Sequence, residues 1–157
     1  MNLQGFIHTF VVASIMISRV LVPMDGSEIA GRALKYALEV HSDAEITVYH
    51  VVGAPSMMMG SAVGLALEDD IEAAAEERAK PIFDEAHEIA AEYDTEIETA
   101  VGLGHPTRAI INRTENYDTI VMGVHGEHSE GITRSFLVGN VAKTVFERSP
   151  IPVTTVR

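Results

Sequence analysis

Two short stretches of this 157-residue chain hold residues whose types and spacing suit phosphate or hydroxyl recognition. Met24-Asp25-Gly26-Ser27 follows one short apolar run, and Gly123-Val124-His125-Gly126 follows another. Each joins glycine to a polar side chain. Glycine lets a backbone approach a phosphate closely, and a helix that follows presents unpaired N–H groups and a positive dipole end to an anion. Asp25 also has a plain structural use, as a helix cap or the acceptor of an Asx-turn, and the two uses can coexist. His125 and His128 have the spacing of a metal pair but no third ligand beside them, so they read as surface residues and no metal is assigned. His50, inside an apolar run, reads as a packed residue with a satisfied ring nitrogen.

The elements that must position these loops follow from the apolar periodicity. Residues 19–24 form a β-branched strand, after which Ser27 is placed to N-cap a helix marked by Ile29, Ala33, Leu34, Ala37 and Leu38. Residues 45–52 predict a second strand. Residues 53–64, with Pro55 and three consecutive methionines, predict a mobile loop in which the methionines serve as an adaptable lid or as loose filling. From 67 to 93, Ile71, Ala75, Ile82, Phe83, Ala86, Ile89 and Tyr93 mark one face of a long helix, with a kink or restart expected near Lys80 because Pro81 follows.

Strand 96–101, a turn over 102–105, a helix with Pro106 in its first turn, strand 118–122, a helix over 139–148 and strand 151–156 complete the order. Five strands alternating with four helices predict a parallel sheet covered on both faces through right-handed crossovers. Ligands of such sheets bind beyond the strand C-termini, where the winding direction reverses. Periodicity alone leaves open which loops meet there.

Composition narrows the function classes. The length and 46% hydrophobic content suit one globular domain. With no cysteine, a disulfide framework, a thiolate metal site and a thiol nucleophile are excluded, which is compatible with the reducing cytoplasm where the chain is expected to act. A net charge of −12 argues against a nucleic-acid partner. Eleven of the acids fall between Glu68 and Asp94 and read as a solvated helix face. Residues 1–18 form an apolar extension whose run is too short to span a bilayer and lacks a basic flank, which argues against a membrane role. It reads as a weak anchor, a packing helix or an over-called start, with the domain proper at 19–157.

Five segments together resemble the universal stress protein family in order and spacing. They are Val-Leu-Val-Pro-Met-Asp-Gly-Ser-Glu (20–28), Val-Tyr-His-Val-Val (48–52), Asp-Thr-Ile-Val-Met-Gly-Val-His-Gly (118–126), Val-Gly-Asn-Val-Ala (138–142) and Ser-Pro-Ile-Pro-Val (149–153). The resemblance implies a Rossmann-like three-layer α/β sandwich with a five-stranded parallel sheet of order 3-2-1-4-5, whose first and fourth strands meet at the switch point. It also implies an adenine-nucleotide cleft holding ATP or AMP, with or without Mg2+. Asp25, beside Pro23, would contact the ribose, and the backbone at Val51 would receive the adenine. Gly123, Gly126, Gly139 and Asn140 match the family's phosphate motif, with Met122, His125 and Val141 beside them. Twelve residues, 127–138, stand where the family pattern has nine, and Asn140 stands where it has a hydroxyl residue. Glu127 and Glu130 bring negative charge toward this end, which Arg134 and Lys143 can offset.

The leading expectation is therefore a nucleotide-binding regulatory stress-response protein, working as a homodimer joined through strand 151–156. The alternative is a nucleotide-independent interaction protein of the same fold. A slow ATPase ranks last, because the chain shows neither an obvious nucleophile–base pair nor a Walker-type lysine loop.

Overall fold

A computed structural model describes residues 16–53, 68–124 and 140–157. The elements in chain order are β1 (Arg19–Pro23), α1 (Glu28–Val40), β2 (Glu45–Val52), α2 (Glu68–Glu92), β3 (Glu98–Leu103), α3 (Pro106–Arg113), β4 (Thr119–Gly123), α4 (Asn140–Arg148) and β5 (Val153–Val156). All five strands run parallel in one sheet of order β3-β2-β1-β4-β5. This is the order and the Rossmann-like class that the sequence led us to expect.

The side-chain alternation of the strands divides the core in two. Val20, Val22, Met24, Ile46, Val48 and Val121 face α1 and α2, where Ala33, Leu34, Ala37, Ala86 and Ile89 meet them. Leu21, Tyr49, Ile120 and Met122 face the other way, against Ile110 of α3 and Val141 and Val145 of α4. Both faces of the sheet are thus covered, and β1 and β4, which are central, are almost wholly apolar.

Local chemistry moves several boundaries. Helix α2 runs through Pro81 as one element, so the expected restart does not occur. Pro81 and Glu77 are both exposed, which lets water satisfy the carbonyl that proline leaves without a donor. At the end of α2, Asp94 takes a left-handed φ of 50° and the Thr95 N–H reaches back to the Ala90 carbonyl at 3.1 Å. The chain leaves this Schellman-type reversal at Thr95, and Glu96 and Ile97, expected to open the third strand, lie between the reversal and the ladder. Strand β3 therefore begins at Glu98 and runs through Gly102, a position expected in the turn; the turn falls instead at Gly104, with φ of 104°. Strand β5 is shorter than 151–156 because the Ser149 hydroxyl accepts from the Ile151 N–H at 3.2 Å and donates to its carbonyl at 2.7 Å. Pro152 brings no N–H, so ladder pairing begins at Val153.

Gly102 lies directly beneath the hydroxyl end of Tyr49, so a Cβ there would occupy the same space. Tyr49 is buried, and the Arg113 guanidinium sits over its ring at 5.4 Å from the centroid. Burial pushes the phenol above its ordinary value, with Arg113 opposing that shift. Gly102→Ala is expected to cost about 1–3 kcal/mol through overpacking. Chemical denaturation should show the loss, and the double variant Gly102→Ala/Tyr49→Phe should recover part of it.

At the N-terminal end of the central strands, Asp118 Oδ2 accepts from the N–H groups of Ser18 at 2.8 Å and Arg19 at 2.9 Å. These bonds hold its carboxyl below the usual aspartate value. A depressed carboxyl stabilises the fold above its unfolded pKa, and that contribution is lost as pH falls through the lower, folded value. The stability gap between the original chain and Asp118→Ala is thus expected to be full at pH 7. It should close as the pH drops below the ordinary aspartate range, which urea titrations at a series of pH values would read.

Candidate functional site

The chain winds from β1 outward through β2 to β3, then returns to place β4 on the other side of β1, so the winding direction reverses between β1 and β4. Past the C-terminal end of β1, Gly26 takes a φ of 80° and the Ser27 N–H donates to Asp25 Oδ1 at 3.0 Å, forming an Asx-turn. The Ser27 hydroxyl then caps α1 by accepting from the Ala30 N–H at 3.3 Å. The structural use foreseen for Asp25 is therefore real, but it occupies one oxygen only. The other, Oδ2, is buried and has no hydrogen-bond partner among the described residues.

Beside this carboxylate lies the end of β2. In a parallel ladder, successive residues point their N–H and C=O alternately to the two neighbouring strands. The Val52 carbonyl accepts from Gly104 at 3.0 Å, on the β3 side, and the Tyr49 carbonyl accepts from Met24 at 2.9 Å, on the β1 side. Val51 shares the parity of Tyr49, so its N–H and C=O face the space that β1 leaves as it turns away at Asp25. On the far side of β1, Met122 is buried and Gly123 closes the end of β4. A Cβ at Gly123 would stand 2.8 Å from the carbonyl carbon and oxygen of Ile29, so only glycine lets the strand lie against the first turn of α1.

Helix α4 starts at Asn140, which is exposed, while Val141 is buried in the layer shared with α3. Because β4 and β5 are parallel, the helix between them begins at the C-terminal edge of the sheet, facing the same crevice. Lys143 lies 4.0 Å from Glu147 on the exposed side of that helix.

Pro23, Asp25, Val51, Met122 and Gly123 are thus brought to one edge of the sheet, with Asn140 and Val141 opening the helix there. His125, Gly126 and Gly139 lie outside the described residues, as do Glu127, Glu130, Arg134 and the methionine loop. His50 has the satisfied ring nitrogen expected of it: Nδ1 lies 2.8 Å from the Met24 carbonyl oxygen. Its partner is 26 positions away, and no local pattern announces it.

Among the described residues, no three His, Asp or Glu side chains are grouped to hold a metal ion, and no helix is long and apolar enough to cross a membrane. A cavity of about 660 Å³ lies elsewhere, between α2 and the edge strand β3, lined by Glu76, Glu77, Lys80, Asp84 and His87 among others. Pro23, Asp25, Val51, Met122 and Gly123 are not among its lining residues, and it forms part of the charged outer face of α2.

A doubly wound α/β sheet with its polar loops at the switch point defines the class. The universal stress protein family matches residues 16–157, and the chain belongs to that family. It is 30% identical over 146 residues to the universal stress protein MJ0531 of Methanocaldococcus jannaschii, covering 88% of this chain and 81% of that protein. Among solved structures, the universal stress protein UspA from Lactobacillus plantarum superposes with a TM-score of 0.67 at 24% identity, covering 90% of this chain and 98% of that one. A universal stress protein in complex with cAMP superposes with a TM-score of 0.61, also at 24% identity, with coverage of 90% and 98%.

Proposed function

We propose that this chain is an adenine-nucleotide-binding regulatory protein of the stress-response type, in which ATP or AMP occupancy sets conformation or partner affinity. The observation that carries this reading is the buried Oδ2 of Asp25 at the mouth of the crevice, which has no hydrogen-bond partner among the described residues. A buried acceptor left without a donor costs about 1–3 kcal/mol, so its persistence suits a site completed by a hydroxyl-bearing ligand. A ribose supplies such hydroxyls. The β1-facing N–H and C=O of Val51 offer a donor–acceptor edge that suits a purine ring, with Pro23 and Met122 as apolar surroundings. Gly123, Gly126, Gly139 and Asn140 would take the phosphates, with His125 and Val141 alongside. The cAMP complex of a similarly folded family member supports the choice of ligand class.

Purified protein is to be denatured and its supernatant examined for released adenine nucleotide. The emptied protein is then titrated with ATP and with AMP, with and without magnesium. Saturable binding is the expected result. No binding at millimolar ATP would overturn this reading and favour the second, a nucleotide-independent interaction protein. That second reading draws on Asn140 and the twelve-residue spacing of 127–138.

The working form is proposed to be a cytoplasmic homodimer. Strand β5 lies at the edge of the sheet and pairs with β4 on one side, and an edge strand exposes backbone groups that a twin can pair. Pro152 precedes the strand, so its four residues would carry the ladder. A monomeric mass by light scattering at physiological salt would rule the dimer out.

A further inference from the structure

His50 has no part in the site as assigned above, yet its ring is bound to it. The Met24 carbonyl can only accept, so Nδ1 carries the hydrogen and donates across the 2.8 Å contact. The Met24 N–H already donates to the Tyr49 carbonyl at 2.9 Å. If the parallel ladder continued, the next bond would run from the Val51 N–H to that same Met24 carbonyl. Among the described residues this bond is not made, and β1–β2 pairing stops at the register Pro23 with Tyr49. The imidazole stands in for it. A side chain of β2 thus satisfies the last carbonyl of the β1 run and releases the backbone of the residue that follows it.

From this we infer that His50 is a positioning residue for the nucleotide site, replacing a ladder bond so that the Val51 edge is offered to a base, and anchoring Met24 so that the Asp25 turn starts from a fixed point. The inference rests on the nucleotide reading above. It does not require His50 to touch ligand. Without the imidazole donor, the Met24 carbonyl becomes available to the Val51 N–H, the ladder gains one more rung, and the edge that would meet the base is consumed.

The test compares ATP titrations and amide hydrogen exchange at Val51 in the original chain, His50→Asn and His50→Leu. Asparagine places an amide N–H close to the position of Nδ1, whereas leucine fills space without donating. Expected for His50→Leu is roughly tenfold weaker ATP binding with slowed Val51 exchange, while His50→Asn stays within about threefold of the original. Equal affinity in the leucine and original chains, or an asparagine chain as weak as the leucine one, would overturn the inference. If the original chain binds no adenine nucleotide, the failure belongs to the functional reading, and Val51 exchange alone decides the role of His50: unchanged exchange in the leucine chain refutes it. Should the leucine chain not fold, His50→Ala, which also lacks the donor, replaces it in both measurements.

Discussion

Asp25→Ala is expected to weaken ATP binding by about ten- to a hundredfold, while the empty protein keeps its stability to within about 1 kcal/mol. The two effects separate because the carboxylate has two oxygens in different circumstances. Oδ1 holds the Ser27 N–H, and losing that bond costs about 0.5–1.5 kcal/mol. Oδ2 is buried with no partner among the described residues, so removing it relieves a cost of similar size in the absence of ligand. With nucleotide bound, the balance changes: a hydroxyl donating to a carboxylate is a charge-assisted bond, and its loss is uncompensated. Asp25→Asn refines the test, since the amide oxygen can keep the turn bond to Ser27 while the charge is gone. If the asparagine chain binds ATP as tightly as the original, the turn is all that Asp25 contributes and the ribose contact is wrong. Isothermal titration and thermal melts on the same three preparations provide both readouts.

Gly123→Ala is expected to destabilise the fold by about 3 kcal/mol, the upper end of the range for overpacking. The added Cβ meets the main-chain carbonyl of Ile29 at 2.8 Å, and a helix backbone cannot swing aside as a side-chain tip can. Relief requires α1 to lift from β4, which disturbs Ala30, Ala33 and Leu34 in the core beneath it. Gly53→Ala is the matched control: among the described residues nothing lies within 4 Å of its added Cβ, so the change should be neutral or slightly stabilising. Equal denaturation midpoints for the two alanine chains would refute the close approach of β4 to α1. Because Gly123 also belongs to the proposed phosphate end, its effect on ATP affinity is interpretable only where the variant remains folded.

The alternation of five strands with four helices was legible because apolar alternation and helical spacing are local signals repeated along the chain, whereas the strand order came through the family resemblance. The Ser27 cap and the turn at Asp25 were legible for the same reason, since Asx-turn and N-cap chemistry act over two or three residues. What escaped depended on distant partners or on one side chain acting on the backbone. Nothing near Gly102 says that Tyr49 will lie over it, so the glycine read as a turn. Ser149 closing on both backbone groups of Ile151 removed the first part of the last strand from the ladder, although Ile151 is an apt strand residue by type. Asp94 in a left-handed conformation displaced the start of β3. Within the site, Asp25 was legible as a candidate, but the division of labour between its two oxygens was not. Val51 entered only through the family resemblance, because what it offers is main chain.

Strand β1 is tied at both ends by side chains of its two neighbours. Asp118 beside β4 grips the amides of Ser18 and Arg19 at one end, and His50 of β2 grips the carbonyl of Met24 at the other. A strand fastened this way cannot slide by a residue without breaking both ties and turning Val20, Val22 and Met24 toward the wrong layer. The centre of the sheet thus acts as a fixed rail. A ligand entering the crevice would therefore meet a β1 already held in register at both of its ends.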